Sequence, residues 1–200
     1  MYSLFVDTHF LNLVLVLYKD GKIVDKIELI NIRNQSEYLV PNIKKILDNA
    51  NITTHNLDEI IVVNGPGSFT GVRIGVTVCK GIAYLNQINI KTISSLQVLA
   101  SNVAKESFQV SIPENNGLFV GIFNGDFKNP EYIYLKKEDV DTYVTNNVIA
   151  EVNDIDYEQV YQKAKELPYI NPHLVNPLYI KNIEVNNDKK TATNWYWCNK

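Results

Sequence analysis

Short apolar runs give way to an apolar–polar alternation that ends at Ile30, and the period changes afterwards. "SLFVD" (Ser3–Asp7) is a short apolar run ending in an acid, and "LNLVLVLYKDG" closes on a Lys19-Asp20-Gly21 turn before the alternating "KIVDKIELI". A turn that tight joins antiparallel strands, so three strands in a meander are predicted. Leu39, Val40, Ile43, Ile46, Leu47 and Ala50 then recur at helical spacing. Pro41 is tolerated best in a first turn, which predicts a helix starting at Tyr38 or just before it. A strand at Glu59–Val63, a helix from about Thr70 to Asn86, a strand at Lys91–Ile93 and a helix capped by Ser94-Ser95 and running through Ala104 follow. Crossovers of that length make the later strands parallel.

After Lys105 the pattern loosens. Gly117–Phe123 and Glu131–Leu135 read as a strand pair, and Asp156–Leu167 as an amphipathic helix, before Pro168, Pro172 and Pro177 break the chain. The expected division is a ribonuclease H-like lobe over 1–104 and a smaller, divergent lobe over 105–200. The polar stretch Asn186–Asn194 is expected to be mobile.

Composition narrows the class. At 46% hydrophobic and 20% charged, the chain is that of a globular protein. Cys79 and Cys198 are too few for a disulfide framework and suit a reducing cytoplasm. No apolar run approaches the roughly 20 residues of a membrane span, and no leader pattern opens the chain. A net charge of −3 argues against a strong grip on nucleic acid by this chain alone.

The stretch "NGPGSFTGVRIG" (Asn64–Gly75), between a strand and a helix, is where chemistry is looked for first. It lacks the Gly-Lys pair of a Walker A loop, the glycines that flank a nucleophile-elbow serine, and the third glycine of a dinucleotide fingerprint. What remains is a tight turn in which Gly65 and Gly67 supply positive φ and Ser68 or Thr70 caps a helix. Weak binding of an anion or nucleotide at Asp7, Thr8, Gly65, Gly67 and Ser68 is the alternative. The helix carries two apolar stripes, Val72/Val76/Cys79/Ala83 and Ile74/Val78/Ile82/Leu85, and a helix lying on one sheet needs only one. His9, His55 and His173 fall on different elements, so neither a metal site nor a Ser-His-Asp set is expected.

From Gly65 to Ala100 the sequence resembles the hallmark segment of the TsaB (YeaZ) family. "FVDT" (Phe5–Thr8), "SEYLVPNI" (Ser36–Ile43) and "NPLYIKN" (Asn176–Asn182) add to the match. The resemblance implies an actin-like, two-lobed α/β fold whose mixed sheet starts as an antiparallel meander and continues parallel, with a shortened second lobe. It implies a non-catalytic scaffold in tRNA threonylcarbamoyladenosine (t6A) modification, paired with a TsaD-type catalytic paralogue and joined by a TsaE-type ATPase. Transfer RNA would be met only through the complex, no cofactor would be held, and a homodimer could form when the chain is alone. Glycoprotease or M22 peptidase activity, once attributed to the family, has no support in these residues. The partner surface falls on the two first-lobe helices, and the expected seam is Tyr38, Leu39, Val72, Arg73, Val76, Cys79, Lys80 and Ala83. Two departures stand out: Gln35-Ser36-Glu37 replaces His-Ser-Glu, and Pro113-Glu114-Asn115 replaces Asp-Ala-Arg. An actin-like ATP-binding enzyme and a homodimeric structural protein are the competing readings.

Overall fold

The computed structural model describes residues 1–147, 149, 150, 152 and 154–180. The Asn186–Asn194 stretch, Cys198 and the end of the Asn176–Asn182 match lie outside the described residues.

Strands β1 (Tyr2–Asp7), β2 (Leu13–Lys19) and β3 (Lys22–Leu29) form the expected antiparallel meander. Strands β4 (Glu59–Val63) and β5 (Asn89–Ile93) extend it in parallel, giving one five-stranded sheet in the order β3-β2-β1-β4-β5. The period of two sorts the side chains by face. Leu4 and Val6 join Leu15, Ile60 and Val62 in one core, whereas Phe5 joins Val16, Ile61 and Val63 in the other.

Helices α1 (Gln35–Asn49) and α2 (Phe69–Asn86) cover the first face. Pro41 sits well inside α1 rather than in its first turn. The helix starts early because the Gln35 side chain is anchored, donating to the carbonyls of Phe10 and Asn12. The missing proline N–H falls on an exposed stretch, where water can serve the carbonyl it leaves free.

Helix α3 (Ser95–Ala100) is shorter than expected. A three-stranded antiparallel sheet follows, of β6 (Ser107–Glu114), β7 (Gly117–Asn124) and β8 (Glu131–Lys136). It packs on α3 through Val110, Ile112, Phe119 and Phe123. Helix α4 (Lys137–Asn146) follows, and α5 (Tyr157–Ala164) returns to cover the second face of the five-stranded sheet. A 3-10 turn at Pro172–Leu174 lies against α2, and Val175 enters the first core. The division at Lys105 therefore does not follow the packing, since α5 and this turn belong to the first sheet's layers.

Candidate functional site

The turn after β4 is a crossing point of several chain segments. Asn64 N–H donates to the Ile93 carbonyl at 3.1 Å, and its own carbonyl accepts from Leu178 N–H at 2.7 Å. The Gly65 carbonyl accepts from Ser95 N–H, and the Pro66 carbonyl from Ser95 Oγ at 2.6 Å. Ser68 N–H donates to the His9 carbonyl at 2.6 Å. Ser68 Oγ caps α2 by accepting from Gly71 N–H at 3.3 Å, as the sequence suggested. Gly65 has the expected positive φ of 106°; Gly67 does not.

The requirement for glycine at position 67 is spatial instead. A Cβ there would overlap the His9 carbonyl oxygen, one at Gly71 the Thr8 carbonyl oxygen, and one at Gly75 the Thr8 hydroxyl. Glycines spaced by four residues thus make a groove along α2 in which the loop after β1 lies. Thr8 Oγ1 ties it down, donating to the Gly71 carbonyl at 2.7 Å. Gly67→Ala is expected to cost on the order of 1–3 kcal/mol because backbone, not a flexible side chain, must give way. Ser68→Ala, which removes only a cap, should cost about 1 kcal/mol. Thermal melts of both variants check the ranking, and a Gly67→Ala chain as stable as wild type would show that the loop yields.

Asp7 ends β1 at the mouth of a cleft of about 370 Å³ that also touches His9, Glu28, Ser95 and Tyr157. Its Oδ1 accepts from His9 N–H at 2.9 Å and pairs with His9 Nδ1 at 2.5 Å. Burial, and then the Asp7 and Glu28 carboxylates, push the Tyr157 phenol above its ordinary range. A free phosphate entering here would meet two carboxylates. Of the five candidate anion residues, Asp7 alone touches the cleft; the polar groups of Thr8, Gly65 and Ser68 are engaged with one another's segments. Among the described residues, no group of three His, Cys, Asp or Glu side chains could hold a metal ion.

The helix layer corrects the expected seam. Val72, Val76, Cys79 and Ala83 are all at most 3% exposed and lie in the core with Leu4 and Ile60, and Leu39 is fully buried beside them. Burial also raises the Cys79 thiol far above its usual range. These five residues belong to this chain's interior. The other stripe is partly covered: Ile74, Val78 and Ile82 are half-buried and pack against the rim of the same core, and Leu85 is 78% exposed. The two stripes sit two residues apart, about 200° around the helix. Small residues decide which one meets the sheet, since Gly71, Gly75, Cys79 and Ala83 permit close approach. That signal was present in the sequence. Tyr38 remains exposed on α1.

Lys80 is also committed internally, its Nζ donating to the carbonyls of His173 at 3.3 Å and Val175 at 3.1 Å. Arg73 stands outside. Its guanidinium lies 3.6 Å from the Phe69 ring centroid, and its Nε–H donates to Tyr179 Oη at 2.7 Å.

With this geometry in hand, similarity to known proteins is informative. The family model described as TsaD, tRNA N6-adenosine threonylcarbamoyltransferase, matches residues 27–114. The tRNA threonylcarbamoyladenosine biosynthesis protein TsaB of Bacillus subtilis (strain 168) is 34% identical over 102 residues, covering 51% of this chain and 44% of that protein. TsaB of Escherichia coli (strain K12) is 28% identical over 91 residues, 46% of this chain and 39% of that protein. YeaZ from Pseudomonas aeruginosa superposes with a TM-score of 0.70 at 20% identity, covering 89% of this chain and 99% of that chain. The chain is similar to members of the TsaB (YeaZ) family. It spans under half the length of the Bacillus and Escherichia TsaB relatives it matches. An uncharacterized Mycoplasma pneumoniae protein is similar over a longer stretch, 29% identical across 92% of this chain and 86% of its own length. The YeaZ likeness shows the fold alone, and the mixed sheet order is the actin-like α/β arrangement that the sequence implied. No helix among the described residues is long and apolar enough to cross a membrane.

Proposed function

We propose that this chain is a non-catalytic docking partner of a TsaD-type threonylcarbamoyltransferase in t6A modification of tRNA. The observation that carries this reading is the incompletely covered second stripe of α2, half-buried at Ile74, Val78 and Ile82 and exposed at Leu85, with Tyr38 of α1 exposed on the same helix layer. Two further points support it. The TsaD model covers α1 and α2, so a TsaD-type chain carries counterparts of the same two helices, and related surfaces can pair by pseudo-two-fold symmetry. The Asp7 cleft has its carboxylate committed to His9 and carries a second acid, which suits neither a phosphate nor hydrolysis by this chain alone. A TsaE-type ATPase would join the pair, tRNA would be held by the complex, and the setting would be the cytoplasm.

Titration of the full chain with the TsaD-type protein of the same genome tests the proposal. Leu85→Asp and Tyr38→Glu should each leave the fold intact and weaken association by one to two orders of magnitude, because each places a charge in an apolar seam. Normal affinity in both variants would remove the helix layer from the interface. In cells lacking the native protein, t6A measured by nucleoside mass spectrometry should return with the wild type and not with the double variant.

A further inference from the structure

We infer that Arg73 is the electrostatic anchor of this docking face, held ready by Phe69 and Tyr179 to receive a carboxylate of the partner protein. The inference rests on the docking reading and adds the chemistry that fixes register on it.

Arg73 is built into its position. The Phe69 ring covers one face of the guanidinium at 3.6 Å, the Tyr179 centroid stands 5.7 Å away, and the two rings are 5.8 Å apart. Tyr179 Oη accepts the Nε–H, which fixes rotation about the end of the side chain. Both rings are about half exposed, so the assembly faces outward. Tyr179 is anchored in turn, because its neighbour Leu178 donates N–H to the Asn64 carbonyl at the start of the glycine turn. An arginine already ordered in this way loses little side-chain freedom when it pairs.

Among the described residues the guanidinium has no acid paired with it. Helix α2 carries Arg73 and Lys80 and no Asp or Glu, although the chain as a whole is at −3. Lys80 is bound to this chain's own carbonyls, so Arg73 is the cation that the helix presents. On its face of the helix Arg73 stands between Phe69, one turn back, and Thr77, one turn on, with the Ile74/Val78 strip about 100–140° around. A single fixed guanidinium flanked by two half-exposed aromatic rings suits one carboxylate, taken in two parallel hydrogen bonds. A polyphosphate or RNA backbone would call for several cations, and among the described residues α2 presents one.

The test uses the full chain and the TsaD-type protein of the same genome, titrated at low and at raised salt. Arg73→Gln should weaken association roughly ten- to a hundredfold and flatten its salt dependence, with the melting temperature kept. Arg73→Lys should recover little, since an ammonium lacks the planar fork. Tyr179→Phe should give a smaller loss, because it frees the guanidinium without removing it. If Arg73→Gln binds as the wild type does, with the same salt slope, while Leu85→Asp abolishes binding, docking stands and the anchor is overturned. If Leu85→Asp also binds normally, the docking face is wrong and the anchor falls with it. If Arg73→Gln spares the protein complex but removes binding of labelled ATP or tRNA, the ligand is a phosphate, and the carboxylate proposal is overturned.

Discussion

Val76→Glu is expected to leave no folded chain. Val76 is 2% exposed, in the core between α2 and the sheet. Glutamate there adds volume where β4 and α2 already interlock, and the cations one turn away, Arg73 and Lys80, are engaged by Tyr179 and by the His173 and Val175 carbonyls. Burying an unpaired charge costs several kcal/mol, against a total stability of about 5–15 kcal/mol for a domain. Leu85→Glu, on the same helix but 78% exposed, should melt within about 0.5 kcal/mol of the wild type. Circular dichroism and solubility of the two variants make the comparison. A Val76→Glu chain that melts normally would turn α2 around and return the partner face to Val72, Val76, Cys79 and Ala83.

That pair of variants also marks where the sequence was legible and where it was not. Both stripes of α2 could be read from spacing, but spacing is symmetric between two apolar faces; only the small residues broke the tie. The meander was clear because β1 and β2, buried on both faces, read as continuous apolar runs, the Lys19-Asp20-Gly21 turn follows at once, and β3 alternates. Strand β6 was missed although Phe108, Val110 and Ile112 alternate, since polar neighbours and Pro113 at its end weaken a short run. Helix α4 buries no residue, so no apolar periodicity announces it. The Arg73–Tyr179 bond and the return of α5 join residues far apart in the chain, and no local pattern encodes such contacts. The anion reading of the glycine turn had a similar weakness. Anion binding was read from the turn alone, whereas Ser68 N–H is taken by the His9 carbonyl and Gly71 N–H by Ser68 Oγ.

Lys91→Met is expected to be nearly as damaging as Val76→Glu, for the opposite reason: it removes a buried cation instead of adding a buried anion. Lys91 Nζ lies 3.6 Å from Glu59 Oε2, with both side chains at most 5% exposed. Ser3 Oγ donates to Glu59 Oε1 at 2.8 Å, but Oε2 has no hydrogen-bond partner and depends on the lysine charge. The same ammonium donates to the carbonyls of Ala164 and Lys165 at 3.2 Å each, closing the end of α5 onto the sheet. Without it, Glu59 is left alone in the interior and two helix-end carbonyls lose their donor, a loss of about 3–5 kcal/mol. Replacing both residues, as Glu59→Leu with Lys91→Met, removes the orphan charge and should recover most of that loss, leaving the two carbonyls as the residual cost. Urea unfolding of the wild type, both single variants and the double completes the cycle. If Lys91→Met alone unfolds at the wild-type midpoint, the carboxylate has found water or another donor, and α5 is held to the sheet by its apolar face alone.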